Sequence, residues 1–235
     1  MKIGIVIPAV DEEEAVGQVV LRCRQAVGSP DCSRIVVGDN ESRDQTSSVA
    51  LSAGAEVVQA RPRGYGTACL EGTNYLGSWP DVLVFLDADG SSRPEEIKNL
   101  LEPIREDRAD FVIGVRSSNT DMTMFQIWGN RLATRLITWR WGQTFSDLGP
   151  FRAIRRECYE HLQMRDPTWG WNIEMQILAV VSKLRWEEVA VSWEPRIAGV
   201  SKISGSLPGA TRAGVRILWT FCRYAFRGRT ILSTH

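Results

Sequence analysis

The sequence predicts an α/β fold: a mostly parallel sheet flanked by helices, with a basic amphipathic helix near the C-terminal end. Three observations carry this expectation. Short β-branched runs alternate with segments of helical periodicity through the first half of the chain. The run Val82-Leu83-Val84-Phe85-Leu86 has the length and branching of a strand buried on both faces. That run ends directly in Asp87-Ala88-Asp89, and in open α/β sheets ligands collect beyond the carboxyl ends of strands.

Taken in order, Lys2–Pro8 reads as a strand. Val16, Val19, Val20, Cys23 and Val27 then repeat at i, i+3, i+4, i+7 and i+11, the stripe of an amphipathic helix. Arg34–Asp39 is a second strand, and Gln45–Ala53 a helix capped by Asp44. Glu56–Val58 is a short strand, Thr67–Leu76 a helix, and Val82–Asp87 the fourth strand. Pro94 opens the next helix, at a position where its missing N–H costs nothing, and Phe111–Val115 is a fifth strand. Beyond Arg116 the pattern loosens. Helices are expected over Phe125–Trp139 and Asn172–Lys183, a turn and strand over Phe145–Ile154, and a strand over Glu187–Val191. Pro195–Pro208 is a glycine- and serine-rich loop, and Thr211–Arg227 a last helix. The division expected is one α/β domain over 1–206 followed by a helical tail over 207–235.

The bulk numbers exclude several classes. The 235 residues, 43% of them hydrophobic, suffice for one sizeable core. Formal net charge is zero, which argues against a nucleic-acid binder. The charge is unevenly spread, however. No acid follows Glu194, so residues 195–235 carry +7, against 21 basic and 28 acidic residues before them, or −7. Five scattered cysteines have no metal-ligand spacing and read as thiols of a reducing compartment. The N-terminus is too short and strand-like for a signal peptide, and no apolar run reaches 18 residues, so a cytoplasmic protein is expected, peripheral at the inner face of the membrane if it meets one. His161 and His235 stand alone, against zinc chemistry or a Ser-His-Asp arrangement.

Acids gather where three strands end: Asp11-Glu12-Glu13-Glu14, Asp39-Asn40-Glu41 with Asp44, and Asp87-Ala88-Asp89. Singly, each is ordinary helix-capping or turn chemistry. Side by side, they would form one acidic sheet edge able to bind a nucleotide and hold a hard cation on its phosphates.

These segments resemble family 2 glycosyltransferases of the GT-A (Rossmann-like) fold, in particular the branch of dolichol-phosphate mannosyltransferase and bacterial polyprenyl-phosphate glycosyltransferases. Pro8-Ala9-Val10-Asp11-Glu12-Glu13 is similar to P-A-Y-N-E-E. Asp39-Asn40-Glu41-Ser42-Arg43-Asp44-Gln45-Thr46 is similar to D-N/D-G-S-x-D-G-T, with both glycines replaced. Arg63-Gly64-Tyr65-Gly66-Thr67-Ala68 is similar to K-G-x-G-x-A, and Asp87-Ala88-Asp89 is the D-x-D. Phe145-Ser146-Asp147-Leu148-Gly149-Pro150-Phe151-Arg152 resembles D-x-x-S-G-F-R, with Gly149-Pro150 where S-G is usual, and Arg196-Ile197-Ala198-Gly199-Val200-Ser201-Lys202 resembles R-x-x-G-x-S-K.

The resemblance covers about residues 2–206. It implies that Pro8, Ala9, Glu12 and Asp39 bind base and ribose, and that Gly64 lies by the diphosphate. Asp87 and Asp89, with Ser91 as a further candidate, would hold Mg²⁺ or Mn²⁺, Asp87 also touching the donor. Arg196, Ser201 and Lys202 would close over the diphosphate. Asp147, Arg116 and Arg131 would face the acceptor. Glu174 matches a recurring acid of unassigned role.

The expected reaction is metal-dependent, inverting transfer of a hexose from a UDP- or GDP-sugar to polyprenyl phosphate. A soluble hydroxyl acceptor and a non-catalytic nucleotide-sugar-binding protein stand as alternatives. A hydroxyl must lose a proton, with Asp147 as the candidate base, whereas a lipid phosphate is already an anion that the arginines need only position. A nucleotidyltransferase would need a basic glycine-rich loop where this chain has Asp11–Glu14, which would repel a triphosphate. In the tail, Arg212, Arg216, Arg223 and Arg227 form one stripe, and Val215, Leu218, Trp219, Cys222 and Phe226 another. That face would meet a membrane surface through 211–227, pack on the acidic body, or join a second copy in a homodimer.

Overall fold

The computed structural model describes residues 1–28, 32–116, 124–197 and 207–226; side chains of 124–126, 128 and 207–213 are not among them. Seven strands form one sheet: β1 (Ile3–Ala9), β2 (Ser33–Asp39), β3 (Glu56–Gln59), β4 (Val82–Phe85), β5 (Phe111–Arg116), β6 (Arg152–Arg155) and β7 (Trp186–Val191). Their spatial order is β3-β2-β1-β4-β6-β5-β7. All pairings are parallel except those of β6, which is antiparallel to both β4 and β5.

Strand alternation divides the core in two. Ile3, Ile5, Ile7, Val82, Val84 and Leu86 point to one face. There they meet α1 (Val16–Val27), α2 (Thr46–Ser52) and α4 (Ile97–Arg105). Val6, Leu83 and Phe85 point to the other face. That face is covered by α3 (Tyr65–Leu76), α5 (Met124–Trp141), α6 (Arg156–Leu162), α7 (Trp171–Val181) and α8 (Leu207–Phe226). A strand apolar on both sides is what a two-faced parallel sheet demands.

The sequence expectation holds for the elements of the first half, with boundary shifts. The fourth strand stops at Phe85, two residues short of Asp87, and the turn that follows holds Ala88 and Asp89. Pro94 opens a 3₁₀ turn, Pro94–Glu96, ahead of α4 rather than the α-helix itself. Asp44 serves α2, accepting from the Thr46 N–H (3.0 Å) and hydroxyl (2.5 Å), although Gln45 occupies the cap position. Two features were not anticipated. β6 inserts antiparallel between β4 and β5, since a four-residue strand carries no sign of direction. Helix α6 is only seven residues, too short for its period to show.

Helix α8 packs on α5 and α7. Arg216 Nε donates to Asp166 (3.0 Å), the Thr220 hydroxyl also donates to Asp166 (2.8 Å), and the Tyr224 hydroxyl donates to Glu174 (2.5 Å). Glu174 is fully buried and further accepts the Asp166 N–H at 2.7 Å and the Arg165 N–H at 3.0 Å. Burial raises its carboxyl above the usual range against those bonds. This acid therefore anchors the last helix to the body.

Candidate active site

The strand order sets β2, β1 and β4 side by side, with Ala9 opposite Asp39 and Val6 opposite Phe85. The three acidic ends therefore meet at one sheet edge, as their spacing suggested. Pro8 and Ala9 end β1 in buried positions. Asp39, also buried, accepts from the Ser42 N–H (3.0 Å), the Ser47 hydroxyl and Gln59 Nε2 (3.4 Å). Burial would raise its carboxyl, but these bonds outweigh it and hold the group below the usual carboxylate range. Asn40 Nδ2 donates to the Ala60 carbonyl (2.8 Å), and its Oδ1 accepts the Gly64 N–H (2.5 Å), tying the β2 end to the glycine-containing loop.

What presses on that loop is protein. A Cβ on Gly64 would meet the Pro167 carbonyl oxygen at 2.1 Å, and one on Gly66 the Asp166 oxygen at 1.9 Å. The glycines admit this close approach. It places the Tyr65 hydroxyl 3.0 Å from Asp87 Oδ1, as donor. Tyr65 is thus a site residue that the motif concealed between its glycines.

Asp87 and Asp89 follow β4 with a single residue between them. Burial, and then the neighbouring charge of Asp89, push the Asp87 carboxyl up to about 7. Asp89 Oδ1 accepts the Ser91 N–H (2.9 Å) and hydroxyl (2.6 Å), so Ser91 orients Asp89. The other oxygen of Asp89 meets Arg196 at 2.9 Å, and Arg196 also reaches Glu12 Oε1 at 2.8 Å. One guanidinium thus bridges two of the three acidic ends. Among the described residues no group of three or more His, Cys, Asp or Glu is placed so that together they could hold a metal ion. The donor set still fits a hard cation: carboxylate oxygens, excess negative charge, and a guanidinium lodged among them.

Residues 192–197 run antiparallel beside this turn. Ser92 bridges Trp193, the Glu194 N–H donates to Ser91 O (2.9 Å), and the Ile197 N–H donates to Asp89 O (3.0 Å). The segment carries Arg196 at one end. At the other, the Arg116 guanidinium stacks over the Trp193 ring, 4.9 Å from its centroid. Arg116, at the end of β5, forks onto Asp147, with its Nε 2.7 Å from Oδ2 and its Nη2 on Oδ1. Asn130 Nδ2 donates to Asp147 Oδ1 at 2.9 Å, and the Arg116 N–H approaches Oδ2 at 3.3 Å. Asp147 is 3% exposed, and both its oxygens are engaged. The structure thus joins Asp147 with Arg116, while Arg131 is exposed on α5 and no hydrogen bond or ion pair links its side chain to them. Ser201 and Lys202 lie outside the described residues.

A second residue that sequence reasoning passed over is Arg152, 0% exposed at the start of β6. Its guanidinium donates to the carbonyls of Gly149 and, at 3.1 Å, Asn172, fixing the turn that carries Asp147. Burial lowers its pKa to about 10, so it stays cationic beneath the site near neutral pH. The available signal was an arginine directly after the apolar Phe151 and before Ala153-Ile154.

The family model of glycosyl transferase family 2 matches residues 4–163. The chain belongs to that family. Its sheet is of the GT-A type, and the protein is a glycosyltransferase. An uncharacterized glycosyltransferase of Mycobacterium bovis is 32% identical over 212 residues, spanning 88% of this chain and 92% of the relative. An undecaprenyl-phosphate mannosyltransferase of Micrococcus luteus is 29% identical, spanning 93% of this chain and 96% of the relative. Among solved structures, glucosyl-3-phosphoglycerate synthase of Mycobacterium tuberculosis with Mn²⁺, UDP and phosphoglyceric acid superposes with a TM-score of 0.77. That match is 20% identical and covers 96% of this chain and 78% of the other, a likeness of fold.

Proposed function

We propose that this family 2 glycosyltransferase moves a hexose from a UDP- or GDP-linked donor to polyprenyl phosphate, with inversion at the anomeric carbon. The observation that carries the acceptor choice is the state of Asp147. A hydroxyl acceptor needs a base, and both oxygens of the candidate base are held by Arg116 and Asn130. A phosphate acceptor needs none. It needs cationic positioning, and Arg116, steadied by Asp147 and Trp193, is a guanidinium suited to phosphate. The mannosyltransferase that acts on undecaprenyl phosphate, similar along nearly its whole length, supports the same reading.

On the donor side, Asp39 and Glu12 would take base and ribose, and Gly64 would lie by the diphosphate. Asp87 and Asp89, with Ser91 beside them, would hold Mg²⁺ or Mn²⁺, consistent with the Mn²⁺ and UDP bound by the synthase of like fold. A bound cation would neutralise charge growing on the leaving diphosphate. Arg196 would then leave Glu12 and Asp89 for the diphosphate, joined by Ser201 and Lys202, and the 192–197 segment would exclude water.

A soluble phosphorylated acceptor is the second reading, favoured by the phosphoglyceric acid in that synthase. Nucleoside diphosphate release, measured with a panel of nucleotide sugars and Mn²⁺, separates the two. Release that depends on polyprenyl phosphate supports the proposal. Release with phosphoglycerate and none with the lipid defeats it.

A further inference from the structure

The five-residue apolar stripe of α8 does not pack on the body. Val215, Leu218, Trp219, Cys222 and Phe226 all face outward, Val215 being 62% and Phe226 76% exposed. The body is met instead by Thr220, Phe221, Tyr224 and Ala225, and by Arg216 on Asp166. Helix α5 lies alongside, joined by Trp141 edge-on to Phe221 (5.7 Å) and by Arg140 Nε on the Ala225 carbonyl (3.2 Å). It too turns large apolar side chains outward: Trp139, 73% exposed, and Leu132. Neither helix contains an Asp or Glu, while Arg131, Arg135 and Arg140 are exposed on α5, and Arg223 lies over the Trp219 and Tyr224 rings.

We infer that α5 and α8 together form a platform that seats on an anionic lipid bilayer, with Trp139, Trp219, Leu218 and Phe226 entering the interface and the arginines meeting the headgroups. Two exposed tryptophans among cations suit an interface that is apolar on one side and wet on the other. The charge decides between occupants. A second copy would bring one acid-free, arginine-bearing face against another, and like charges there cost binding. An anionic bilayer complements the same charge. Among the described residues no helix is long and apolar enough to cross a membrane, so the contact is peripheral for them. The inference deepens the polyprenyl phosphate reading, since Asn130, which holds Asp147, lies on α5, one of the two platform helices.

The test is flotation of the full chain with vesicles free of polyprenyl phosphate, one set of phosphatidylcholine, the other of phosphatidylcholine with phosphatidylglycerol. Binding is expected to the anionic set only and to fall as salt rises. Trp139→Ser should weaken it about tenfold to a hundredfold, and Arg135→Gln about fivefold. Both side chains are exposed, so unchanged thermal unfolding certifies the fold. Equal binding to neutral vesicles, no flotation at low salt, or a dimer in vesicle-free solution that Trp139→Ser dissociates would each overturn the inference. Transfer to a short, water-soluble polyprenyl phosphate without vesicles tests the acceptor separately. Transfer without flotation sinks the platform alone, and flotation without transfer sinks the acceptor alone.

Discussion

Breaking the Arg116–Asp147 pair should cost more than losing both partners together. The two side chains are 11% and 4% exposed, so either one left alone is a nearly buried, uncompensated charge. Removing one member of such a pair typically costs about 3–5 kcal/mol. In a chain of this size each kcal/mol moves the unfolding midpoint about 2–4 °C, so Asp147→Asn and Arg116→Met should each lower it by about 6–20 °C. The double variant Arg116→Met/Asp147→Leu replaces the pair by apolar volume. It should recover at least about 2 kcal/mol of the summed losses, a coupling typical of residues in direct contact. Urea unfolding of the four proteins, followed by far-ultraviolet circular dichroism, measures the cycle. Losses that add within about 0.5 kcal/mol would refute the buried pair, and with it the argument that Asp147 is engaged rather than poised as a base.

Glu41 sits at φ 62°, in the left-handed region, where related motifs carry glycine. Glu41→Gly should therefore raise stability by about 0.5–1 kcal/mol, the steric relief exceeding the entropy cost of glycine. The exposed 3.6 Å pair with Arg61 that it removes adds little, and denaturant midpoints will show the sign. Asp87, with its carboxyl near 7 in the folded chain, binds a proton there that the unfolded chain has released above about pH 4. The metal-free protein should thus lose stability as pH rises from about 4 to 7. Asp87→Asn should remove that loss and be the more stable form at pH 8, the gap closing in acid. Thermal unfolding of both proteins at a series of pH values checks this, and a gap that widens in acid would reverse the assignment.

The acidic ends were legible because a strand buried on both faces must be apolar, so Asp87 after Val82–Leu86 marks where the apolar strand gives way to the polar strand end. Periodicity likewise gave α1 and the stripe on α8. Arg152, Tyr65 and Trp193 were not legible as site residues, since each acts through a partner far away in sequence. Arg152 donates to Asn172 O, Tyr65 to Asp87, and Trp193 stacks under Arg116.

By itself the sequence determined the α/β class, the family motifs and the acids at the three strand ends, because patterning and strand-end chemistry are local. Tertiary structure alone decided which way the last helix faces. Two faces of α8 are able to pack, and buried Asp166 and Glu174 select the one bearing Arg216, Thr220 and Tyr224. Polar groups drawn into the interior need their partners, so the greasier stripe is left to the outside. The same logic paired Arg116 with Asp147: two residues 31 positions apart read singly as acceptor groups, and only the fold made them one buried ion pair.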